Sequence, residues 1–426
     1  MATISRPRLV TKTDLAVAAL PEAVTVSLAE LAGSIKEGLL AFAVAAGLAV
    51  LDELLQHEVT EIVGAKGKHD GDRGARRHGE ERRQVTLGGR RVDVQRPRAR
   101  TMQGQEVELQ TFSAFSGRDI LTQAALEKML AGLSTRRYPA GLEPVGNVKA
   151  RATSRSSVSR RFVAGTERKL AEIFGRDLST LDLLAIFIDG KLVADHCILV
   201  ALGVDGEGHK HPLGLWEGTT ENKAACNALL ANLIERGLDP EYKRLFVIDG
   251  GKAIRAAIKH TFGDHAVFQR CRAHKRRNFL DHLPDVERTF LGRKLDKAWA
   301  LTDAAAAEAE LQSIARGLEG PHPGAAASLL EGLQETLTVT RLGLSPSLLR
   351  TFKSTNPIES MISVGSTVTR NVKRWRDGKM VLRWVAAGML EAEKQFRRIN
   401  GYRDLHLLRR GLEEKQQADA ARAGVA

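Results

Sequence analysis

Two aspartates in this 426-residue chain, Asp189 and Asp249, each follow directly on a hydrophobic run, LLAIFI (183–188) and RLFVI (244–248), and each precede a glycine. Asp-Gly after a strand is an ordinary turn signal. The pair means more, because two central strands of one sheet that both end in Asp set two carboxylates side by side, where like charges repel unless a cation bridges them. Such oxygen ligands suit Mg²⁺ or Mn²⁺. A third acid stands in KSTNPIESMISV (353–364), where Asn356 is expected to cap a helix, Pro357 to take its first turn and Glu359 to close a capping box. On a helix packed against the sheet, Glu359 would complete a site for two divalent ions, the arrangement that serves in-line phosphoryl transfer.

The elements that must position these acids are legible in the periodicity. LLAIFI, CILVALGV (197–204) and HKHPLGLWEG (209–218) read as an antiparallel meander across short polar turns. A helix follows, started by Thr219 or Thr220 and stopped at Gly237, then the strand RLFVI, the helix GKAIRAAIKHTFG and the strand HAVFQRC. After Pro284 the chain is helical and Ala-rich to about Pro346, and from there to about 400 a long helix is interrupted near Asp377-Gly378. Upstream, LLAFAVAAGLAVL (39–51) is too short for a bilayer and reads as a buried helix. GAKGKHDGDRGARRHGEERR (64–83) reads as a loop or basic arm, and the stretch around Gly88-Gly89 as a β-hairpin.

Beyond the pattern, the residues themselves resemble the Mutator-like group of bacterial insertion-sequence transposases. The motifs that carry the resemblance are FIDGK (187–191), ALGVDGEGHKHPLGLWEGTTEN (201–222), LFVIDGGKAI (245–254), QRCRAHKRRN (269–278) and KSTNPIES (353–360). The resemblance implies an α/β ribonuclease H-like core with a mixed sheet in the order β-β-β-α-β-α-β-α, an α-helical insertion, and a mostly helical N-terminal DNA-binding region. It implies Asp189, Asp249 and Glu359 as catalytic residues holding two Mg²⁺ (or Mn²⁺), and it places the family's Cys-x2-His signature on Cys271 and His274. That spacing is zinc-like, but no second ligand pair matches it, so Cys271 and His274 are read as a structural hydrogen-bonded pair. The segment GGKA (250–253) lacks the spacing of a phosphate-binding loop, and no nucleotide cofactor is expected.

With 64 Lys+Arg against 51 Asp+Glu the chain carries +13, which favours a polyanionic partner, nucleic acid before an acidic membrane. Candidate phosphate contacts fall in three clusters. Arg155, Ser156, Arg160 and Arg161 open a helix of helix-turn-helix type. Arg272, Lys275, Arg276 and Arg277 follow the last strand, and Arg370, Lys373 and Arg374 follow Glu359 on its own helix. The three scattered cysteines give no disulfide framework, which fits a bacterial cytoplasm and association with the nucleoid on DNA. The expected division is 1–65 (helical), 66–117 (basic arm and hairpin), 118–176 (helix-turn-helix-like), 181–284 (first part of the core), 285–346 (insertion), 347–410 (second part) and 411–426 (flexible tail). The activity implied is binding of terminal inverted repeats, cleavage, and joining of 3′-hydroxyl ends to target DNA, in a homodimer or larger synaptic complex. A nuclease or resolvase that does not join strands, or a non-catalytic DNA-binding repressor, are the alternatives.

Overall fold

The computed structural model describes residues 39–68, 73–87, 90–117, 126–133, 150–151, 155–218, 223–370, 372 and 374–423. The chain divides into two units, Met1–Met129 with Leu133–Phe162, and Leu130–Gly132 with Val163–Ala426. The expected helix start at Thr219 or Thr220 and the turn at Gly88-Gly89 lie outside the described residues.

In the first unit, helix α1 (Leu39–Val63) lies against a hairpin of β1 (Ala75–Leu87) and β2 (Arg90–Thr101), followed by α2 (Gln110–Gly117) and the short β3 (Ala150–Arg151). Leu51, Leu55, Val59 and Val63 recur every four residues, so one stripe of α1 is buried against Val85, Ala99 and Leu109. Of the apolar run expected to be a buried helix, residues 45–49 are half-buried, Leu51 is buried and Val50 stands 57% exposed, so among its described side chains burial is complete only at its end. Residues 75–83, expected as part of a loop, are strand. Their charges find cross-strand partners, with Arg96 2.9 Å from Glu81 and Arg82 bonded to Asp93, so an Arg/Glu-rich sequence pairs without apolar alternation.

Helix α3 (Arg155–Phe174) begins in the first unit and ends in the second. The second unit is built on a five-stranded mixed sheet in the order β6-β5-β4-β7-β8. Strands β4 (Leu183–Val193), β5 (His196–Asp205) and β6 (Lys210–Gly218) form the expected meander, and β7 (Arg244–Ile248) and β8 (Ala266–Arg270) add in parallel. The intervening α4 (Lys223–Glu235) and α5 (Lys252–Phe262) cover the face carrying Ile186, Ile188, Phe246 and Ile248. The alternate residues, Phe187 and Val247, point to the opposite face. There they meet α12 (Pro346–Phe352), α13 (Asn356–Thr369) and α14 (Gly378–Glu393) through Phe352, Ile358, Met361 and Leu390. Helices α13 and α14 cross at Gly388, where an added Cβ would lie 2.6 Å from the Gly365 Cα.

Between β8 and α12 the chain forms a helical insertion with a core of its own, including Phe279, Leu295, Leu311, Leu329 and Leu333. It runs through α6 (Arg272–Asp281), α7 (Asp285–Ala300), α8 (Ala304–Leu318), α9 (Pro323–Leu330) and the short α10 (Leu333–Thr336) and α11 (Thr338–Arg341). Residues 411–423 of the expected flexible tail are instead part of α15 (Leu405–Ala423). Leu405, Leu408 and Leu412 bury one side of this helix in the core, and long-range ion pairs of Asp419 with Lys243, at 2.6 Å, and of Arg409 with Asp182 hold a polar, Ala-rich segment that would fray alone.

Candidate active site

Only β7 ends at its aspartate as expected; β4 continues past Asp189 to Val193, paired with β5, while Asp189 and Asp249 take the next register position beyond the paired residues Ile188 and Ile248 on parallel neighbours. They therefore sit about one strand spacing apart, ~4.8 Å, and share the parity of Phe187 and Val247. That is the face on which α13 lies, anchored by Ile358 and Met361, with Glu359 between them in sequence. Asp189 Oδ1 accepts from the Gly190 N–H at 2.9 Å, and Asp249 Oδ1 from the Gly251 N–H at 2.8 Å. The glycine between needs its freedom: Gly250 has φ +107°, and a Cβ there would lie 2.2 Å from Arg270 Nε.

The three acids are electrostatically coupled. Burial pushes the Asp189 carboxyl up to about 6; repulsion from Asp249 and, more weakly, Glu359 adds to this, while the Gly190 N–H and His274 oppose it. A folded value above the unfolded one means Asp189 costs nothing below about pH 4 and destabilises increasingly as pH rises through 6. Asp189→Asn is thus expected to raise the melting temperature of the metal-free protein at pH 7.5, by up to about 3 kcal/mol equivalent less what partial exposure screens. The gain should vanish near pH 4, and thermal melts across that range check it. No gain at pH 7.5 would show that the acids do not repel.

The start of α13 is held by a network that the spacing did not predict. The N-terminal residue of the helix boundary is Thr355, not Asn356, and no side chain there caps a backbone N–H. Asn356 is exposed, so its expected capping role is corrected. The Thr355 hydroxyl, fully buried, instead donates to Glu359 Oε1 at 2.5 Å and lies 3.3 Å from Cys271 Sγ and 3.4 Å from His274 Nδ1. Cys271 Sγ also accepts from the Thr355 N–H at 3.4 Å, while the Cys271 N–H donates to the Ile248 carbonyl at 2.7 Å. The Cys-x2-His pair therefore links the end of β7 to the helix that carries Glu359. Burial pushes the Cys271 thiol up, but hydrogen bonds with His274 and Thr355 outweigh this and leave it below its usual value. The hydrogen bond with Cys271 raises the His274 imidazole, against burial and with help from Glu359 and Asp249.

The basic residues divide by burial. Arg272 and Lys275, expected to contact phosphates, are interior. The Arg272 guanidinium donates to the carbonyls of Thr336 and Trp299 and to the Thr340 hydroxyl, and Lys275 Nζ to the carbonyls of Ser328 and Glu331. Burial lowers Arg272 to about 10 and Lys275 to about 8, and both tie α6 to the other helices of the insertion. Arg276 is bound to Asp296 at 3.0 Å, whereas Arg277 is exposed. Arg370 and Arg374 are exposed, but α13 ends at Thr369, so they lie in the connection to α14; Lys373 lies outside the described residues. On α3, Arg155, Ser156 and Arg160 are exposed and Arg161 is half-buried beside the buried Val158 and Phe162. Among the described residues no helix is long and apolar enough to cross a membrane.

The sequence profile of the Mutator family of transposases matches residues 23–398. The transposase of insertion sequence element ISRM5 from Rhizobium meliloti (strain 1021) is 26% identical over 366 residues, covering 84% of this chain and 90% of that protein. The transposase of IST2 from Acidithiobacillus ferrooxidans is 30% identical over 164 residues, 38% of this chain and 54% of that one. The transposase of IS1081 from Mycobacterium tuberculosis (strain ATCC 25618 / H37Rv) is 26% identical over 306 residues, 71% of each.

Proposed function

We propose that this chain, which belongs to the Mutator family of transposases, cuts DNA at the ends of an insertion sequence and joins the freed 3′-hydroxyls to target DNA at a site formed by Asp189, Asp249 and Glu359. The observation that carries the reading is the convergence of Asp189, inside β4 where it outruns β7, Asp249, just past β7, and the α13 glutamate on one face of the sheet. The sheet order and the helices on both faces are compatible with a ribonuclease H-like core. Three carboxylates with mutual repulsion at Asp189 fit divalent, oxygen-seeking ions, Mg²⁺ or Mn²⁺, two per site. When bound, such ions would supply an activated attacking oxygen and stabilise the departing one. The chain's own residues do the rest. Asp189 and Asp249 are aimed by the Gly190 and Gly251 amides, and Glu359 by Thr355. The exposed Arg277, Arg370 and Arg374 supply positive charge for the phosphates of incoming DNA.

The test is cleavage and strand transfer by the full-length protein on DNA carrying its terminal inverted repeats, with Mg²⁺ and with EDTA. The reading expects both reactions with the metal, neither without it, and DNA binding in both. Cleavage without joining of precleaved ends would make it a nuclease, and binding without cleavage a repressor. End recognition is assigned to the first unit together with α3. Arg155→Ala with Arg160→Ala should weaken binding to terminal repeats about tenfold or more and flatten its salt dependence by nearly two counterions. Gel shifts across a salt series measure this, and unchanged slopes would remove α3 from the interface.

A further inference from the structure

Cys271, His274 and Glu359 each offer a ligand atom, and these atoms all lie within 4.8 Å of one another. His274 Nδ1 is 3.9 Å from Glu359 Oε1. The Thr355 hydroxyl lies 3.3, 3.4 and 2.5 Å from the sulfur, the nitrogen and the carboxylate oxygen. A tetrahedral ion with bonds of ~2.0 to 2.3 Å holds its ligands roughly 3.3 to 3.8 Å apart, so the sulfur, the nitrogen and the carboxylate oxygen stand within about 1 Å of three such corners, while the Thr355–Glu359 hydrogen bond must open for an ion to enter. In the sequence no second Cys/His pair matches the spacing of the first. Folding supplies the missing ligands from α13, a helix whose start is brought to the end of β8 by the Arg272 N–H bonding the Lys353 carbonyl at 2.9 Å.

We propose that Cys271, His274 and Glu359 form a second cation site, selective for thiophilic divalent ions such as Zn²⁺, which shares Glu359 with the acidic triad and takes that carboxylate away from it. Sulfur and imidazole select Zn²⁺ or Co²⁺ over Mg²⁺, whereas Asp189 and Asp249 offer oxygen alone. The Cys271 thiol gives up its proton on binding, and the Thr355 hydroxyl or a water fills the fourth position. Access runs past His274 and Glu359, whose side chains are 23% and 41% exposed, while Cys271 is sealed behind them. The inhibitory consequence, though not the binding, rests on the catalytic reading of Glu359. Zn²⁺ at micromolar levels would then silence cleavage in millimolar Mg²⁺.

Titration of the full-length, Mg²⁺-free protein with Co²⁺ tests the site directly, because a thiolate ligand gives an intense near-ultraviolet charge-transfer band. The band should saturate at one equivalent, vanish in Cys271→Ser, weaken roughly 100-fold in apparent affinity in His274→Ala, and persist in Asp249→Asn. Circular dichroism checks that the variants are folded, and His274→Ala, which keeps the thiol, carries the test should Cys271→Ser not fold. Absence of the band, its survival in Cys271→Ser, or unaltered affinity in His274→Ala overturns the proposal. A band with the expected pattern but no loss of Mg²⁺-dependent cleavage on adding Zn²⁺ supports the cation site and counts against Glu359 as a catalytic ligand.

Discussion

Glu359→Gln is expected to reduce cleavage and strand transfer by on the order of 10³-fold or more while leaving the melting temperature and affinity for terminal repeats unchanged. The separation follows from where the side chain stands. Its carboxylate is 41% exposed, and its closest partner is the Thr355 hydroxyl, to which a glutamine carbonyl can still accept a bond. Losing the negative charge costs the fold little and the triad one of its three anionic oxygen donors. Thr355→Val and Thr355→Ser sharpen the result. Valine removes the donor that aims Glu359 and should lower the rate constant far more than the Michaelis constant, whereas serine keeps the hydroxyl and should restore most of the rate. A Glu359→Gln protein that cleaves within tenfold of wild type in Mg²⁺ would reduce Glu359 to a helix residue and leave the two aspartates without their third partner.

A second large effect is expected far from the acids. Gly388→Ala places a methyl 2.6 Å from the Gly365 Cα, against backbone that cannot swing aside. Helices α13 and α14 must separate there, and α13 carries Glu359 less than two turns from the crossing. The substitution should destabilise the protein by about 1 to 3 kcal/mol and depress activity beyond what lost stability explains. The reverse change, Gly365→Ala, puts its methyl no closer than 3.7 Å to Gly388 and should be nearly silent. Chemical denaturation of both variants, with cleavage rates measured well below their midpoints, checks the asymmetry. Equal costs at the two glycines would mean that the helices do not meet as described.

The acids were readable because each sits where a strong local pattern stops. LLAIFI and RLFVI are buried runs that announce central strands, and the residue after each is polar. The helix of Glu359 was readable from its proline. The meander, the parallel additions and the helical insertion followed from period and from short turns. What stayed hidden depended on contacts between residues distant in sequence. Arg272 and Lys275 have the composition of a DNA-facing cluster, and only the carbonyls of Trp299, Ser328, Glu331 and Thr336 with the Thr340 hydroxyl turn them into interior cations. Thr355 lay in plain view, four residues before Glu359, a spacing that puts two side chains on one helical face. Its buried partners Cys271 and His274, however, come from another element. The strand at 75–83 was concealed for a related reason, since charge alternation pairs across a hairpin as well as apolar alternation does but carries no mark of burial.

The insertion between β8 and α12 also sets a timetable. A ribosome releases the first unit and α3 first, then the sheet with Asp189 and Asp249, and only after the whole insertion has emerged can α13 bring Glu359 to them. Closing so long a loop is a late event, and the Cys271–Thr355 contact that fixes it cannot form earlier. On the proposed function, a chain that stops within the insertion would carry the unit assigned to end binding and both aspartates but lack Glu359.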